Sequence, residues 1–144
     1  MRINNPGNLR FAVGPDFRTK LVDGLASFAT LEQGTRSLLY CIYQYYGPLA
    51  RTSLRDFVAV FADKGNTDLI AYEMTMVIRL GLNPLKTKTA DLKLNQPWRA
   101  LDFARALIHA EQGVVTIGHG ESEEWVPPTV MLEAMRNSMK WRAL

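Results

Sequence analysis

Residues 97–112, PWRALDFARALIHAEQ, decide the fold class because they predict a long amphipathic helix with a defined start and end. Proline is favoured in the first helical turn, and Gly113 is a typical helix terminator. Apolar side chains recur every three or four residues, which places them on one buried face. They are Trp98, Leu101, Phe103, Ala104, Leu107 and Ile108. The stretch therefore predicts a helix that packs against other helices.

Glu111 lies on or beside this apolar stripe, in the last turn of the predicted helix. It follows Leu107 by four residues and Ile108 by three, so it shares their face. Burial and the negative end of the helix dipole both favour a protonated carboxyl group. A carboxyl group that stays protonated near neutral pH can act as a general acid. The alternative is a solvated Glu at the helix edge, paired with an arginine such as Arg105.

Four further helices are predicted from the same kind of pattern, over about residues 30–46, 53–61, 67–80 and 128–144. Thr30 and Gln33 have the spacing of a capping box, and Gly81 is in the position of a C-terminal cap. Short β-like pieces at 9–13 and 25–28 and a loop at 114–125 complete the chain. We expect a mainly α single domain, residues 1–144, with a small β-like N-terminal region.

Composition excludes several classes of protein. With 144 residues, 47% of them hydrophobic and 22% charged, the chain is neither disordered nor fibrous. Its apolar runs are too short for a membrane span, and no basic segment followed by an apolar run predicts a signal peptide. The single cysteine, Cys41, excludes an internal disulfide, and no Cys/His spacing indicates a zinc site. We predict no metal and no cofactor, and we expect Cys41 to be a core residue.

The basic excess is mild and does not predict a nucleic-acid partner. The net charge is +3, and the arginines are scattered rather than clustered. The second and third predicted helices resemble a helix-turn-helix in outline. However, the third has Arg79 as its only basic side chain, whereas a recognition helix offers several polar side chains to base edges. DNA binding stays the weakest of the alternatives.

Residues 4–10, NNPGNLR, predict a tight polar turn near the start of the chain. Pro6 presets its own φ, and Gly7 can supply the positive φ that a type II turn needs. Asn5 and Asn8 would then lie on either side of one bend. Their amides either cap the local backbone or form one wall of a ligand site.

The loop after the predicted helix 97–112 offers further polar groups that could fold back over Glu111. Thr116 and His119 have polar side chains, and the glycines beside them allow close backbone approach. An acidic run follows, made of Glu121, Glu123 and Glu124. Such a run is usually solvated, but it could supply a second carboxylate or even the general acid itself.

Four segments resemble, in order, the small phage and prophage proteins known as virion structural proteins. They are NNPGNLR at 4–10, the pattern F-x-x-x-x-x-G-x-R at 28–36 with its following helix, an N-T…Y…L-G helix at 66–81, and ALIHAEQG at 106–113. The resemblance covers roughly residues 1–113. It implies a lysozyme-like fold and peptidoglycan cleavage during genome entry. The chain would then be synthesised in the host bacterial cytoplasm and carried in the virion.

The resemblance also implies site residues. Glu111 matches the single late Glu of the family, and Asn5, Asn8 and Arg10 match its amide-rich turn. There are departures: the family's His directly precedes its Glu, whereas His109 is two residues before Glu111, and Gln112 replaces an Asn. Phage lysozymes have a hairpin with an Asp between their Glu and a T-x-G-x-G segment, and the spacing here leaves no room for it.

The leading hypothesis is a phage-associated muramidase or lytic transglycosylase in which Glu111 is the general acid. Asn5, Asn8, Arg10, Thr116 and His119 would bind the aminosugar substrate. Hydrolysis and transglycosylation both stay open. The alternative is a non-catalytic virion or tail accessory protein on a lysozyme-like scaffold. Its partner surface would be the last helix, with Met131, Met135 and Met139 on one stripe and Trp125 and Trp141 nearby, although methionines at that spacing are more often core.

Overall fold

The chain is mainly helical in a computed structural model that describes residues 4–10, 21–22, 24–46, 58, 61, 69–81, 93–94, 96–112, 115–117, 121–123 and 125–142. Within these residues, the helices are α1 (Leu31–Tyr46), α2 (Leu69–Leu80), α3 (Pro97–Gln112) and α4 (Pro128–Arg142). Two short antiparallel hairpins accompany them: β1 (Leu21–Val22) with β2 (Leu25–Ala26), and β3 (Val115–Ile117) with β4 (Glu121–Glu123). None of the described helices is long and apolar enough to cross a membrane.

Local signals in the sequence set the helix ends. The bounds of α3 are those predicted. The backbone N–H of Gln33 donates to Oγ1 of Thr30 over 3.2 Å, which caps the start of α1 as expected. Gly81 has a φ of 63° and donates its N–H to the Val77 carbonyl over 2.8 Å, which confirms the predicted C-terminal cap of α2.

The predicted helix at 53–61 lies mostly outside the described residues. Val58 and Phe61 are helical, and Val58 is buried. Helix α2 is described from Leu69, two residues after the predicted start. The count of five helices therefore stays a prediction, whereas the mainly α class is confirmed.

Helix α3 packs against each of the other three helices, and its buried side lies at the centre of the core. Fully buried residues from several elements meet there, including Leu38, Ile42, Met76, Phe103, Leu107 and Val126.

Met131 and Met135 are 2% and 4% exposed, so the expectation that they fill the core is confirmed. Met139 is 44% exposed and does not belong to it. Cys41 is buried as predicted, and burial raises the pKa of its thiol to about 12.

The β structure agrees with the prediction in part, because β2 (Leu25–Ala26) lies within the β-like piece expected at 25–28. At the N-terminal side the strands are β1 and β2, joined through Gly24 with a φ of 79°. The Leu9 carbonyl accepts a hydrogen bond from the Ala26 N–H over 2.8 Å, but residues 11–13 of the predicted piece lie outside the described residues.

The expected loop at 114–125 contains the hairpin β3–β4, in which Thr116 is opposite Ser122. The β-branched run Val115–Ile117 favours a strand. The prediction of a loop was wrong here. The partner strand β4 has the sequence Glu-Ser-Glu, which does not favour a strand, so the sequence did not indicate a hairpin.

Candidate functional site

The segment at 4–10 is a tight turn that lies directly on α1. The Asn8 N–H donates to the Asn5 carbonyl over 3.2 Å, with Pro6 and Gly7 between them. Positive φ values occur at Asn4 (55°) and Asn8 (50°), and Gly7 is not among the glycines with a positive φ. The prediction of a type II turn with a left-handed Gly7 was therefore wrong.

Glycine is needed at position 7 because of the helix beneath it. A Cβ on Gly7 would lie 2.8 Å from Cδ1 of Leu38, a fully buried side chain. On the helix side, a Cβ on Gly34 would lie 1.7 Å from the Asn4 carbonyl oxygen, which is impossible without a backbone shift. Gly7 of the turn faces α1, and Gly34 of α1 faces the turn. Because neither has a side chain, the two elements can approach closely.

Asn5 holds the turn together from inside. Its side chain is fully buried, with 0% exposure. Nδ2 donates to the carbonyls of Leu9 (2.9 Å) and Ala26 (2.8 Å), and Oδ1 accepts from the Leu9 N–H (2.9 Å). Both amide hydrogens are therefore engaged with backbone. This corrects the prediction that Asn5 binds substrate, because a side chain so buried and so bonded presents no atom to a ligand.

Asn8 and Tyr72 both donate hydrogen bonds to the carboxylate of Glu111. Asn8 Nδ2 lies 2.8 Å from Oε2, and Tyr72 Oη lies 2.8 Å from Oε1. Tyr72 is 3% exposed and reaches Glu111 from α2, whereas Asn8 reaches it from the turn. Three elements that are distant in sequence therefore meet at one half-buried carboxylate at the end of α3.

Gln112 completes the group from the residue next to Glu111. Its Nε2 donates to the Pro6 carbonyl over 3.0 Å and to Oδ1 of Asn8 over 3.2 Å. The end of α3 is thus attached to the turn by two adjacent side chains. Because Gln112 occupies Oδ1 of Asn8, the amide nitrogen of Asn8 is the atom left to face Glu111.

The chemistry of this group is that of a carboxylate held by neutral donors. Hydrogen bonds from Asn8 and Tyr72 stabilise the charged form of Glu111. A tyrosine hydroxyl can also accept a hydrogen bond, so Tyr72 can turn and accept the proton of a protonated Glu111. The arrangement therefore provides partners for both protonation states. Glu111 is half-buried and bonded across the fold, so it is not the solvated edge residue of the alternative interpretation.

The other predicted site residues lie away from Glu111 or outside the residues that the structure describes. Arg10 is exposed at the end of the turn, and the described hydrogen bonds do not include it in the group around Glu111. Thr116 lies in β3, and nothing beyond its backbone is described. His119 and Glu124 lie outside the described residues, and Glu121 and Glu123 form the ends of β4.

No group of three or more metal-ligating side chains occurs in the part of the chain that the structure describes. His109 is 4% exposed and belongs to the buried residues of α3. It lies two residues before Glu111, which places it about 200° away around the helix.

Sequence reasoning missed Tyr72 and Gln112 as members of the site. Tyr72 is a buried position of an amphipathic helix, and such a position is usually only core. A signal did exist, because Tyr72 and Gln112 both fall in segments that carry the family resemblance.

Comparison of the chain with models of known protein families gives no match, and comparison with curated protein sequences gives none either.

Proposed function

We propose that this protein is a phage-associated enzyme that cleaves peptidoglycan glycan strands, with a lysozyme-like fold and Glu111 as the general acid. The observation that carries the proposal is the carboxylate of Glu111 held between Asn8 and Tyr72 at 2.8 Å on each side. Three separate elements supply this group, and a purely local cap would need only one of them. The resemblance to virion structural proteins links the same turn and the same Glu to glycan cleavage.

In this reaction Glu111 protonates the glycosidic oxygen between two aminosugars as the bond breaks. Glycosidases usually need a second carboxylate, as a nucleophile or to activate water. The described partners of Glu111 are neutral donors, which supports a mechanism with one Glu in which the N-acetyl group of the substrate attacks the anomeric carbon. Asn8 and Tyr72 act as positioning residues, because each contacts Glu111 and fixes where its oxygens point. Hydrolysis and transglycosylation differ only in what then opens the resulting intermediate.

The test is clearing of purified peptidoglycan by the Glu111→Gln variant. The amide keeps the shape of the side chain but has no acid proton, so the rate should fall by at least about 100-fold. Turbidity loss measures the rate, and mass spectrometry of the released muropeptides distinguishes hydrolysis from transglycosylation.

The matched control is Glu133→Gln, which makes the same change at an exposed position of α4. It should clear peptidoglycan at the wild-type rate. Thermal unfolding of both variants checks that the fold is intact. Full activity in a folded Glu111→Gln protein would remove Glu111 from the mechanism and with it this proposal.

A specific observation favours a second candidate, a non-catalytic virion accessory protein. Ile70, Met74 and Ile78 are 77%, 52% and 73% exposed and recur every four residues along the outer face of α2. An apolar stripe of this kind is typical of contact with another protein. The last helix, which the sequence suggested for this role, is less suitable because Met131 and Met135 are in the core.

Two measurements distinguish the candidates: clearing of peptidoglycan by the purified protein, and incorporation into phage particles of the variant in which Ile70, Met74 and Ile78 are all replaced by Ser. If the protein acts only as an accessory, the purified wild type clears no peptidoglycan, and the triple variant is lost from phage particles. If it acts as the enzyme, clearing by the purified triple variant stays at the wild-type rate.

A further inference from the structure

The amide side chains of Gln112 and Asn8 form a chain of hydrogen bonds whose direction is set at one end. That end is the Pro6 carbonyl, which can only accept. It must therefore face the Nε2 of Gln112, at 3.0 Å, because the Gln112 carbonyl oxygen would repel it. The second hydrogen of the same Nε2 then points to Asn8, which has to present Oδ1, at 3.2 Å.

The orientation of the Asn8 amide determines which of its atoms faces Glu111. With Oδ1 of Asn8 facing Gln112, its Nδ2 faces Oε2 of Glu111 at 2.8 Å. An amide nitrogen donates and does not accept, so Oε2 cannot carry a proton towards it. Oε1 has a different partner, the Tyr72 hydroxyl at 2.8 Å, which can accept as well as donate. The two oxygens of Glu111 are therefore chemically unequal.

We infer that the chain from the Pro6 carbonyl through Gln112 and Asn8 keeps an N–H donor on Oε2 of Glu111 and so confines the acid proton to Oε1. The chain itself does not depend on any activity. The consequence that Oε1 delivers the proton to the glycosidic oxygen rests on the proposed function. In that reaction Gln112 and Asn8 are positioning residues, since neither needs to touch the substrate.

Among the residues that the structure describes, the other ionisable groups named for the turn, α2, α3 and β4 do not impose the same asymmetry. From α2 the bonded group is Tyr72, which can serve either protonation state. The charged residue of the turn is Arg10, which is exposed, and His109 lies about 200° away around α3. The hairpin after α3 carries Glu121 and Glu123 in β4. Among the described bonds, only that from Asn8 offers a donor that cannot become an acceptor.

The experiment follows side-chain NMR signals of the full-length protein through a pH titration. Carbon-13 at the Cδ of Glu111 reports its ionisation, and the Glu111→Gln variant assigns the signal. We expect the Asn8 side-chain NH₂ signals to shift with the midpoint of Glu111, because one of these hydrogens touches Oε2. The Gln112 NH₂ signals, which point away from Glu111, should move much less.

Replacement of Gln112 by Met removes the group that orients Asn8. Asn8 can then turn its carbonyl to a protonated Oε2, so both oxygens of Glu111 can hold the proton. The midpoint of Glu111 should rise by at least about 0.3 pH unit, because the protonated form gains a second position for its proton and a twofold gain in population corresponds to that shift. The matched control, Gln96→Met at the exposed residue directly before α3, should leave the midpoint unchanged.

Two results would overturn the inference. One is that the Asn8 NH₂ signals of the wild type do not shift when Glu111 ionises. The other is that the midpoint of Glu111 is the same in Gln112→Met as in the wild type. Neither depends on enzymatic activity. If the NMR results are as expected while Glu111→Gln still clears peptidoglycan, the hydrogen-bond chain stands and the proposed function fails.

Discussion

Asn5 and Asn8 occupy the two ends of one β-turn and have opposite roles. Asn5 is fully buried, and its amide bonds only to the backbone of Leu9 and Ala26. Asn8 is partly exposed, and its amide bonds to the side chains of Glu111 and Gln112. The same residue type, three positions apart, thus serves the fold at one end and the candidate site at the other.

The difference teaches that the partners of an amide decide its role. Backbone groups are present whatever the sequence, so the bonds of Asn5 stabilise the turn as such. The side-chain partners of Asn8 exist only because Glu111 and Gln112 are at the end of α3. Substitutions at the two ends of the turn should therefore separate stability from activity.

The largest effect is expected where the Asn5 end of the turn touches α1. In Gly34→Ala the new Cβ would lie 1.7 Å from the Asn4 carbonyl oxygen, so the backbone of the turn must move. We expect the free energy of unfolding to fall by about 3 kcal/mol, the upper end for overpacking. Urea denaturation measures it.

Gly7→Ala is the matched comparison for Gly34→Ala, because its Cβ would meet side-chain atoms of Leu38 rather than backbone. Its cost should be smaller, since a side chain can adjust where a carbonyl in a turn cannot. Equal costs for the two variants would show that the Asn4 carbonyl moves as easily as the Leu38 side chain, which would contradict this ranking.

The second effect is expected for Asn5→Ala, which removes three hydrogen bonds at once. It leaves two carbonyls and one N–H of the backbone without their amide partner, and we expect a loss of about 2–3 kcal/mol. For a protein of this size that corresponds to a fall in Tm of roughly 4–12 °C. Calorimetry measures it, and a change below about 2 °C would show that Asn5 does not hold the turn.

The smallest effect on stability is expected for Asn8→Gly. Glycine accepts the φ of 50° without strain, so the variant removes the amide and keeps the backbone. The free energy of unfolding should fall by about 1 kcal/mol, because the backbone strain that glycine relieves at this φ offsets part of the lost hydrogen bond to the carboxylate. Clearing of peptidoglycan should fall by about tenfold, because Glu111 loses a donor worth more than 1 kcal/mol. If Asn8→Gly lost stability as Asn5→Ala does and kept full activity, the comparison would be reversed.

The sequence predicted the features that depend on local chemistry. Pro97 and Gly113 delimited α3, Gly81 capped α2, and helical periodicity placed Glu111 beside the buried face. The expectation that the turn at 4–10 faces Glu111 came from the family resemblance, and the bond from Asn8 shows that the two do meet.

The features that failed are those set by tertiary contacts. Gly7 is required by Leu38 of α1 rather than by its own φ, which no local pattern reveals. Nothing in the segment 4–10 distinguishes the buried Asn5 from the partly exposed Asn8. Tyr72 has the position of an ordinary core residue until α2 is packed against α3 and its hydroxyl meets Glu111. Periodicity indicates which face of a helix is buried, but it does not indicate which polar atom of a neighbouring element a buried side chain will contact.

The bond between Asn8 and Glu111 joins residues 103 positions apart. During synthesis the turn leaves the ribosome first, and at about 5–20 residues per second α3 follows many seconds later. Until then Asn8 lacks its partner, and Glu111 acquires its donors only when α2, α3 and the turn have packed together. Contacts between such distant residues close late in folding because the intervening chain must first be ordered. Glu111 therefore acquires its donors only after α3 has been synthesised and has packed, so a nascent chain shorter than this has no assembled site.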